Sequence, residues 1–483
     1  MIPTFAAPDF DWAVLKPFVI MALTGVVALL ALLFQTKTNT RFMARCTLIG
    51  IFCAFVSAAG LFGNSYLVMN DMITKMNPGM IGEILILIST FVTVLISRPF
   101  LEKEGINCPE FYPLITWSAL GGMIMCSTDN LLTMFVGLEL LSISLYVLAG
   151  MHKKSKASQE AALKYFLLGS FATGFFLYGI AFLYGAKGSL GLDSFKAFAI
   201  HGSVQEQPLY IFSFCLIMVG LCFKTGVVPF HQWVPDVYSG APSNVVTFMA
   251  TGAKIGPFIA LYRLTTDSVM FNNFSYPICL ALSVVSMVVG NILAFRQKDV
   301  KRILAYSSIV NAGYILIYLA GLVRQRGEGI WEFGFFLVAY VFATLGMFVL
   351  ITALSKDDRQ PFTFDSLRGL SRRNPGLAAA LLIFVLSQIG IGPVAGFVGK
   401  ALFVTHLVRL EEVWLAIVLL ANSAFAAFYY LKIIKAAFSI HESEEEIRHE
   451  VCINTKFALA ICLVGVVGTV LLYSPIYQFL VQQ

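Results

Sequence analysis

Charge is scarce in this chain. Asp, Glu, Lys and Arg make up 12% of its 483 residues, where a soluble globular protein carries about 25%. With 58% hydrophobic residues and a mean hydropathy of +0.82, one water-soluble core cannot hide the apolar surface. The nine cysteines are scattered and no pair has C-x-x-C spacing. That argues against a disulfide framework or a thiolate metal centre and for inert thiols. Also missing are a nucleotide-binding Gly-rich loop, an H-E-x-x-H pair and a nucleophile triad. No polar stretch is long enough for a soluble domain. The net charge of +6 comes from basic residues in short loops, so lipid headgroups and membrane topology explain it better than nucleic acid does.

What is present is a series of helix-length apolar runs. They read as 14 spans: 14–34, 44–63, 80–97, 110–128, 130–149, 160–185, 208–235, 243–264, 274–295, 302–323, 332–354, 376–406, 412–438 and 456–480. The first is too long for a signal-peptide core and no small-residue cleavage site follows it, so it reads as a retained span. The longest polar segments fall near 355–375 and 440–455, the latter with Glu442, Glu444, Glu445 and Glu446. With residues near span ends counted to the adjoining loop, 21 of the 33 lysines and arginines lie on the side reached after odd-numbered spans, 8 on the other, and 4 (Lys164, Lys224, Lys254 and Lys400) are assigned to spans. The richer side is expected to be cytoplasmic, with both termini on the non-cytoplasmic side of the cell inner membrane.

Two spans are long and interrupted. Span 7 carries Gly226, Pro229 and Pro235 after Lys224; span 12 carries Gly390, Gly392, Pro393, Gly396 and Gly399 before Lys400. Broken backbone at membrane depth persists only inside protein or beside a wet cavity. Five spans apart, the two run in opposite directions, the pattern of an inverted-topology repeat. The expected fold is all-α, a polytopic membrane protein of about 14 transmembrane helices with two inverted five-helix repeats containing broken helices 7 and 12. The expected divisions are 1–109 (helices 1–3), 110–264 (helices 4–8), 274–438 (helices 9–13) and 439–483 (a loop and helix 14).

Glu139, Lys224, Lys254 and Lys400 lie within apolar runs. Each ionised group there costs about 2.5–3.5 kcal/mol, so the four together cost roughly 10 kcal/mol or more. Such groups read as carriers of charge. Glu139 has no basic residue in its own span and is expected to pair with Lys224; otherwise it is a protonated acid satisfied by a neighbouring helix. A lysine that approaches and leaves a carboxylate is a proton switch, with snorkelling as its bland alternative. A proton crossing about 180 mV needs roughly 4 kcal/mol. Lys254, among Gly252, Ala253 and Gly256, and Lys400, at the break of span 12, read as further stations in a hydrated path; a static pair is the alternative for Lys254. Lys164, four residues after Glu160, is either a helix-end ion pair or part of the relay. His231 is either a bridge at the break or a satisfied loop histidine. Asp236 and Asp129 read as caps. His152, His201, His406, His441 and His449 suggest nothing specific.

FVGLELLSISLYVLAG, ALKYFLLGSFATGFFLYG, FKTGVVPFHQWVPDVYSGAP and GPVAGFVGK resemble the antiporter-like membrane subunits of respiratory complex I across spans 4 to 13. That resemblance implies 14 helices, two inverted repeats and a buried chain of charges that pumps protons while quinone is reduced elsewhere in the NADH-quinone oxidoreductase. It places the family's helix-5 glutamate at Glu139, and its helix-7, helix-8 and helix-12 lysines at Lys224, Lys254 and Lys400. A lysine on helix 12 is similar to the N and L subunits and unlike M; the L subunit continues in a long lateral helix, which is not expected here. ATGAKIG departs from the usual proline before the helix-8 lysine, and SQIGIGPVAGF from the usual paired-proline break. The resemblance further implies no cofactor in this chain, with NAD, FMN, iron–sulfur clusters and quinone in other subunits. The implied partners are other membrane subunits, including M, L and the small K subunit, and the lipid bilayer. A nearby alternative is a subunit of a multi-subunit cation/proton antiporter or membrane-bound hydrogenase. A remote one is a membrane enzyme built on His231 and Asp236.

Overall fold

The structure, a computed structural model, describes residues 10–34, 40–70, 72–194, 207–267, 272–325, 330–439, 451–471 and 473. The acidic patch at 442–446 and His201, His441 and His449 lie outside the described residues. In chain order the helices are α1 (Trp12–Phe34), α2 (Thr40–Ala59), α3 (Asn77–Glu104), α4 (Phe111–Cys126), α5 (Leu131–Ala149) and α6 (Lys156–Lys187). Then come α7 (Gln207–Thr225), α8 (Trp233–Gly240), α9 (Ser243–Met249), α10 (Gly252–Asp267), α11 (Asn272–Phe295), α12 (Val300–Gln325) and α13 (Ile330–Leu354). Last are α14 (Phe364–Leu367), α15 (Leu370–Arg373), α16 (Pro375–Ile389), α17 (Ala395–Arg409), α18 (Val413–Phe438) and α19 (Ile453–Leu471). Among the described residues, 12 spans are long and apolar enough to cross a membrane. The shorter apolar helices α4 and α16 account for spans 4 and 12 of the expected set.

Backbone chemistry sets the breaks. At the end of α7, Gly226 adopts φ +81°, and the N–H groups of Gly226 and Val227 both return to the Cys222 carbonyl at 2.9 Å. At the end of α16, Gly390 adopts φ +82°, and the N–H groups of Gly390 and Ile391 return to the Leu386 carbonyl at 2.9 and 3.1 Å. Glycine bears this left-handed conformation at little cost, and the bonds close the last helical carbonyls. Chain direction resumes in α8 and α17. Trp233 at the start of α8 donates its indole N–H to the Phe223 carbonyl at 2.8 Å, pinning the halves of span 7 together.

The span formed by α9 and α10 is interrupted as well, at Ala250 and Thr251, where the sequence leads one to expect a single helix over 243–264. Thr251 donates its hydroxyl back to the Thr247 carbonyl at 2.6 Å, one of the local bonds by which threonine competes with the helix ladder. Freed carbonyls find tyrosines: Tyr340 donates to Ala250 O at 2.7 Å and Tyr238 to Met249 O at 3.2 Å.

Residues 243–265 of α9–α10 and 303–323 of α12 are buried and form the centre; α1, α2, α11 and α18 have outer faces exposed to the surroundings. α12 packs on α11 and touches α8 and α10, while α13 lies against α16 and α17. A two-stranded hairpin, β1 (Tyr66–Val68) with β2 (Ile73–Lys75) antiparallel, closes one end of α3 and α4. Its Lys75 is buried and donates to Glu83 at 2.8 Å, and Ser127 donates to the same carboxylate. A second buried pair, Lys301–Asp358 at 2.6 Å, ties α12 to the 355–363 loop, and Asp358 also accepts from the Ser243 N–H at 2.9 Å at the start of α9.

Candidate functional site: a line of buried lysines

Lys224 lies in the last turn of α7, two residues before Gly226 at the break, and is buried. Its Nζ donates to the Tyr165 hydroxyl at 2.8 Å and stands 4.7 Å and 5.2 Å from the ring centres of Tyr165 and Tyr146. Electron-rich ring faces take up part of the solvation that an ammonium loses in the interior. Tyr165 in turn stacks on Trp233 of α8 at 4.5 Å. Helix α6 thus supplies the partner, and α8 fixes that partner's plane.

Direct pairing of Glu139 with Lys224, expected from the sequence, does not occur: no ion pair joins them. Glu139 is half-buried on α5, at the border between the buried face that carries Tyr146 and an outward stripe of Leu132, Val136, Ile143 and Val147. Seven residues apart, Glu139 and Tyr146 share nearly the same face of α5, so the carboxylate lies two turns, about 10 Å, along the helix from the ring beside Lys224.

Lys254 follows the interruption before α10. Its Nζ donates to Ser308 of α12 at 2.9 Å and lies 5.8 Å from the Tyr238 ring centre. Lys400 on α17 is held by the second break. Its Nζ donates to the carbonyls of Gln388 and Ile389 at 3.0 and 2.8 Å and to the Ser423 hydroxyl at 2.9 Å. Those carbonyls sit in the last turn of α16, where intrahelical partners run out, and an ammonium's three donors match three acceptors. Among the described residues neither lysine has a carboxylate partner.

Neutral polar side chains lie between Lys254 and Lys400. Ser307, beside Ser308, contacts the Tyr430 hydroxyl, and Asn311 donates to the Ser307 carbonyl at 3.0 Å. Asn311 also approaches Gln388 Oε1 at 3.5 Å, long for a hydrogen bond, and Gln388 Nε2 donates to Thr344 at 2.9 Å. All of these side chains are at least nine-tenths buried. Sequence reasoning passes over Tyr165, Ser307, Ser308, Asn311, Thr344, Gln388, Ser423 and Tyr430. The available signals, the SSIVN and SQIG runs within apolar spans, are weak because hydroxyl and amide side chains commonly bond within their own helix.

Lys164 points to the end of the bundle where α6, α8 and α12 meet. It bonds Glu160 at 2.7 Å and Asp236 at 2.8 Å, and Asp236 also takes Arg302 at 3.1 Å. Both the i,i+4 pair and a tie to another helix are therefore present, and Asp236, read as a cap, is the hub of an ion cluster. These groups line a cavity of about 220 Å³ together with Asp299, Arg359 and Gln360. Burial raises the Asp299 carboxyl above its ordinary value, against the opposing pull of the Lys301 ammonium and N–H. Asp129, also read as a cap, pairs with Arg263. His231 lies half-buried in the break of span 7, its Nδ1 without a hydrogen-bond partner, and is hydrogen-bonded to none of the three lysines. All nine cysteines are free, and among the described residues no three His, Cys, Asp or Glu side chains are grouped to hold a metal ion.

Residues 128–426 match the membrane family described as NADH:quinone oxidoreductase/Mrp antiporter. NADH-quinone oxidoreductase subunit N of Trichlorobacter lovleyi is 35% identical over 468 residues, 96% of this chain and 95% of that protein. Subunit N of Nitrosomonas europaea is 34% identical over 436 residues, 89% of each. Among solved structures, a chain of respiratory complex I from Thermus thermophilus superposes with a TM-score of 0.80 at 34% identity, covering 95% of this chain and 97% of that one. A chain of the Mrp complex from a Dietzia species superposes with a TM-score of 0.83 at 17% identity, a likeness of fold alone. Two broken helices, three buried lysines and this kinship over nearly the whole length lead to one conclusion: the chain belongs to the NADH-quinone oxidoreductase subunit N family, the antiporter-like membrane subunits of respiratory complex I.

Proposed function

We propose that the chain is the N-type proton-translocating membrane subunit of a respiratory NADH-quinone oxidoreductase. Protons move along Glu139, Lys224, Lys254 and Lys400, driven by quinone reduction elsewhere in the assembly. The supporting observation is that three ammonium-bearing side chains are buried with no carboxylate among the described residues bonded to any of them. Each instead touches hydroxyls or free carbonyls that accept from an ammonium. A buried lysine held by neutral partners changes charge at less cost than one locked in an ion pair. Lys164 and its cavity supply the mouth on the lysine- and arginine-rich side, and His231 is a further candidate in the break.

In this reading the chain has no redox group of its own, and NAD, FMN, iron–sulfur clusters and quinone belong to its partners. Those partners include the M, L and K membrane subunits. The chain sits in the cell inner membrane with both termini on the non-cytoplasmic side. Its working units are the five-helix repeats at 110–264 and 274–438. The test is Lys224→Ala in the assembled complex in proteoliposomes: fewer protons translocated per electron are expected, and an unchanged ratio would count against the relay. The rival, a cation/proton antiporter subunit, requires ion flux without NADH or quinone.

A further inference from the structure

The two broken spans can be compared residue by residue from their glycines. Lys224 lies two residues before Gly226, and Gln388 lies two residues before Gly390. Both glycines have the same left-handed φ, and both turns close on the carbonyl four residues before the glycine. The side-chain bonds correspond as well. Lys224 donates to a hydroxyl on the preceding span, Tyr165 of span 6, and Gln388 donates to a hydroxyl on its preceding span, Thr344 of span 11. Spans 6 and 7 and spans 11 and 12 are the third and fourth members of the two repeats. Their order and opposite direction are what an inverted repeat requires.

We propose that Gln388 is the second-repeat counterpart of Lys224: a positioning residue that keeps the hydrogen-bond seat and gives up the charge. The second repeat's cation has moved across the break to Lys400. Gln388 now serves it in two ways. Its own carbonyl accepts from Lys400 Nζ at 3.0 Å, and its amide, clamped by Thr344 and facing Asn311, fixes where that carbonyl stands. The glycine completes the arrangement, since a Cβ at 390 would lie 2.7 Å from Lys400 Cδ. An amide side chain neither takes nor yields a proton at accessible pH. Gln388 therefore cannot be a carrier; it sets the acceptor geometry around one.

This inference rests on the reading of Lys400 as a carrier, and a charge swap separates the two. In the assembled complex in proteoliposomes, Lys400→Gln alone is expected to impair proton translocation. Combining it with Gln388→Lys returns an ammonium to the seat that Lys224 occupies in the first repeat. That double variant is expected to translocate at least about fivefold faster than Lys400→Gln, a factor corresponding to ~1 kcal/mol. Gln388→Leu, which keeps bulk but loses both polar ends, is expected to slow translocation about fivefold, the loss of roughly one hydrogen bond. A swap no better than Lys400→Gln, or a Gln388→Leu complex that translocates like its parent, overturns the inference. Normal translocation by Lys400→Gln would instead overturn the carrier role itself.

Discussion

Gly226 and Lys254 share one space: a Cβ at position 226 would stand 3.4 Å from Lys254 Nζ and 2.8 Å from Val234 Cγ2. The break of the first interrupted span therefore opens directly beside the lysine of the next. Gly226→Ala adds that Cβ and forces a left-handed φ on a residue that pays about 1–2 kcal/mol for it. Slower proton translocation is expected, because the strained turn and the displaced Val234 disturb the break beside Lys254. Proteoliposome acidification measured beside quinone reduction checks this.

Tyr165 gives Lys224 its only hydrogen bond among the described residues. Tyr165→Phe keeps both the ring stack on Trp233 and the cation–ring contact but removes the acceptor. Translocation should fall by roughly a factor of 5, the value of one hydrogen bond near 1 kcal/mol. Lys224→Arg should lose far more, because arginine holds its proton at every accessible pH. Equal activity of Lys224→Arg and the parent complex would contradict a carrier role.

Asp358 neutralises Lys301 in a pair that is almost wholly buried, and also caps the start of α9. Asp358→Ala leaves that ammonium uncompensated, at a cost of about 3–5 kcal/mol. The purified protein should unfold at lower temperature in detergent, and replacing Lys301 with Met in the same variant should restore much of the loss. The measurement is a thermal melt of the three forms.

Asp299 precedes α12, outside the spans, and accepts from the Lys301 N–H at 3.0 Å. Because burial raises its pKa in the folded state, the fold binds this proton more tightly than the unfolded chain does. Its contribution to stability is therefore present at low pH and lost as pH rises from about 4 through the folded value. Asp299→Asn keeps an acceptor for the cap and removes the titration. Its thermal stability relative to the parent should rise across that window and converge with it below, as melts at stepped pH will show.

The spans were legible because apolar runs of helix length have few rivals in a chain this poor in charge. Breaks in spans 7 and 12 were legible too, since Gly226, Pro229, Gly390 and Pro393 interrupt long apolar segments. The break before Lys254 carries no proline, and Ala250 and Thr251 look helical in one dimension. Lys75 falls between the expected spans 2 and 3, and only a hairpin folded back on α3 buries it against Glu83. The lysines stood out as charges in oil. Their partners did not, because Tyr165, Ser308 and Gln388 are neutral and their roles depend on which helices touch.

The most direct measurement is the number of protons translocated per electron by assembled complexes carrying Lys224→Ala, Lys254→Ala or Lys400→Ala, one at a time, in sealed proteoliposomes oxidising NADH. The relay predicts a lower ratio or arrested turnover for each. A parental ratio at parental turnover in all three would contradict it.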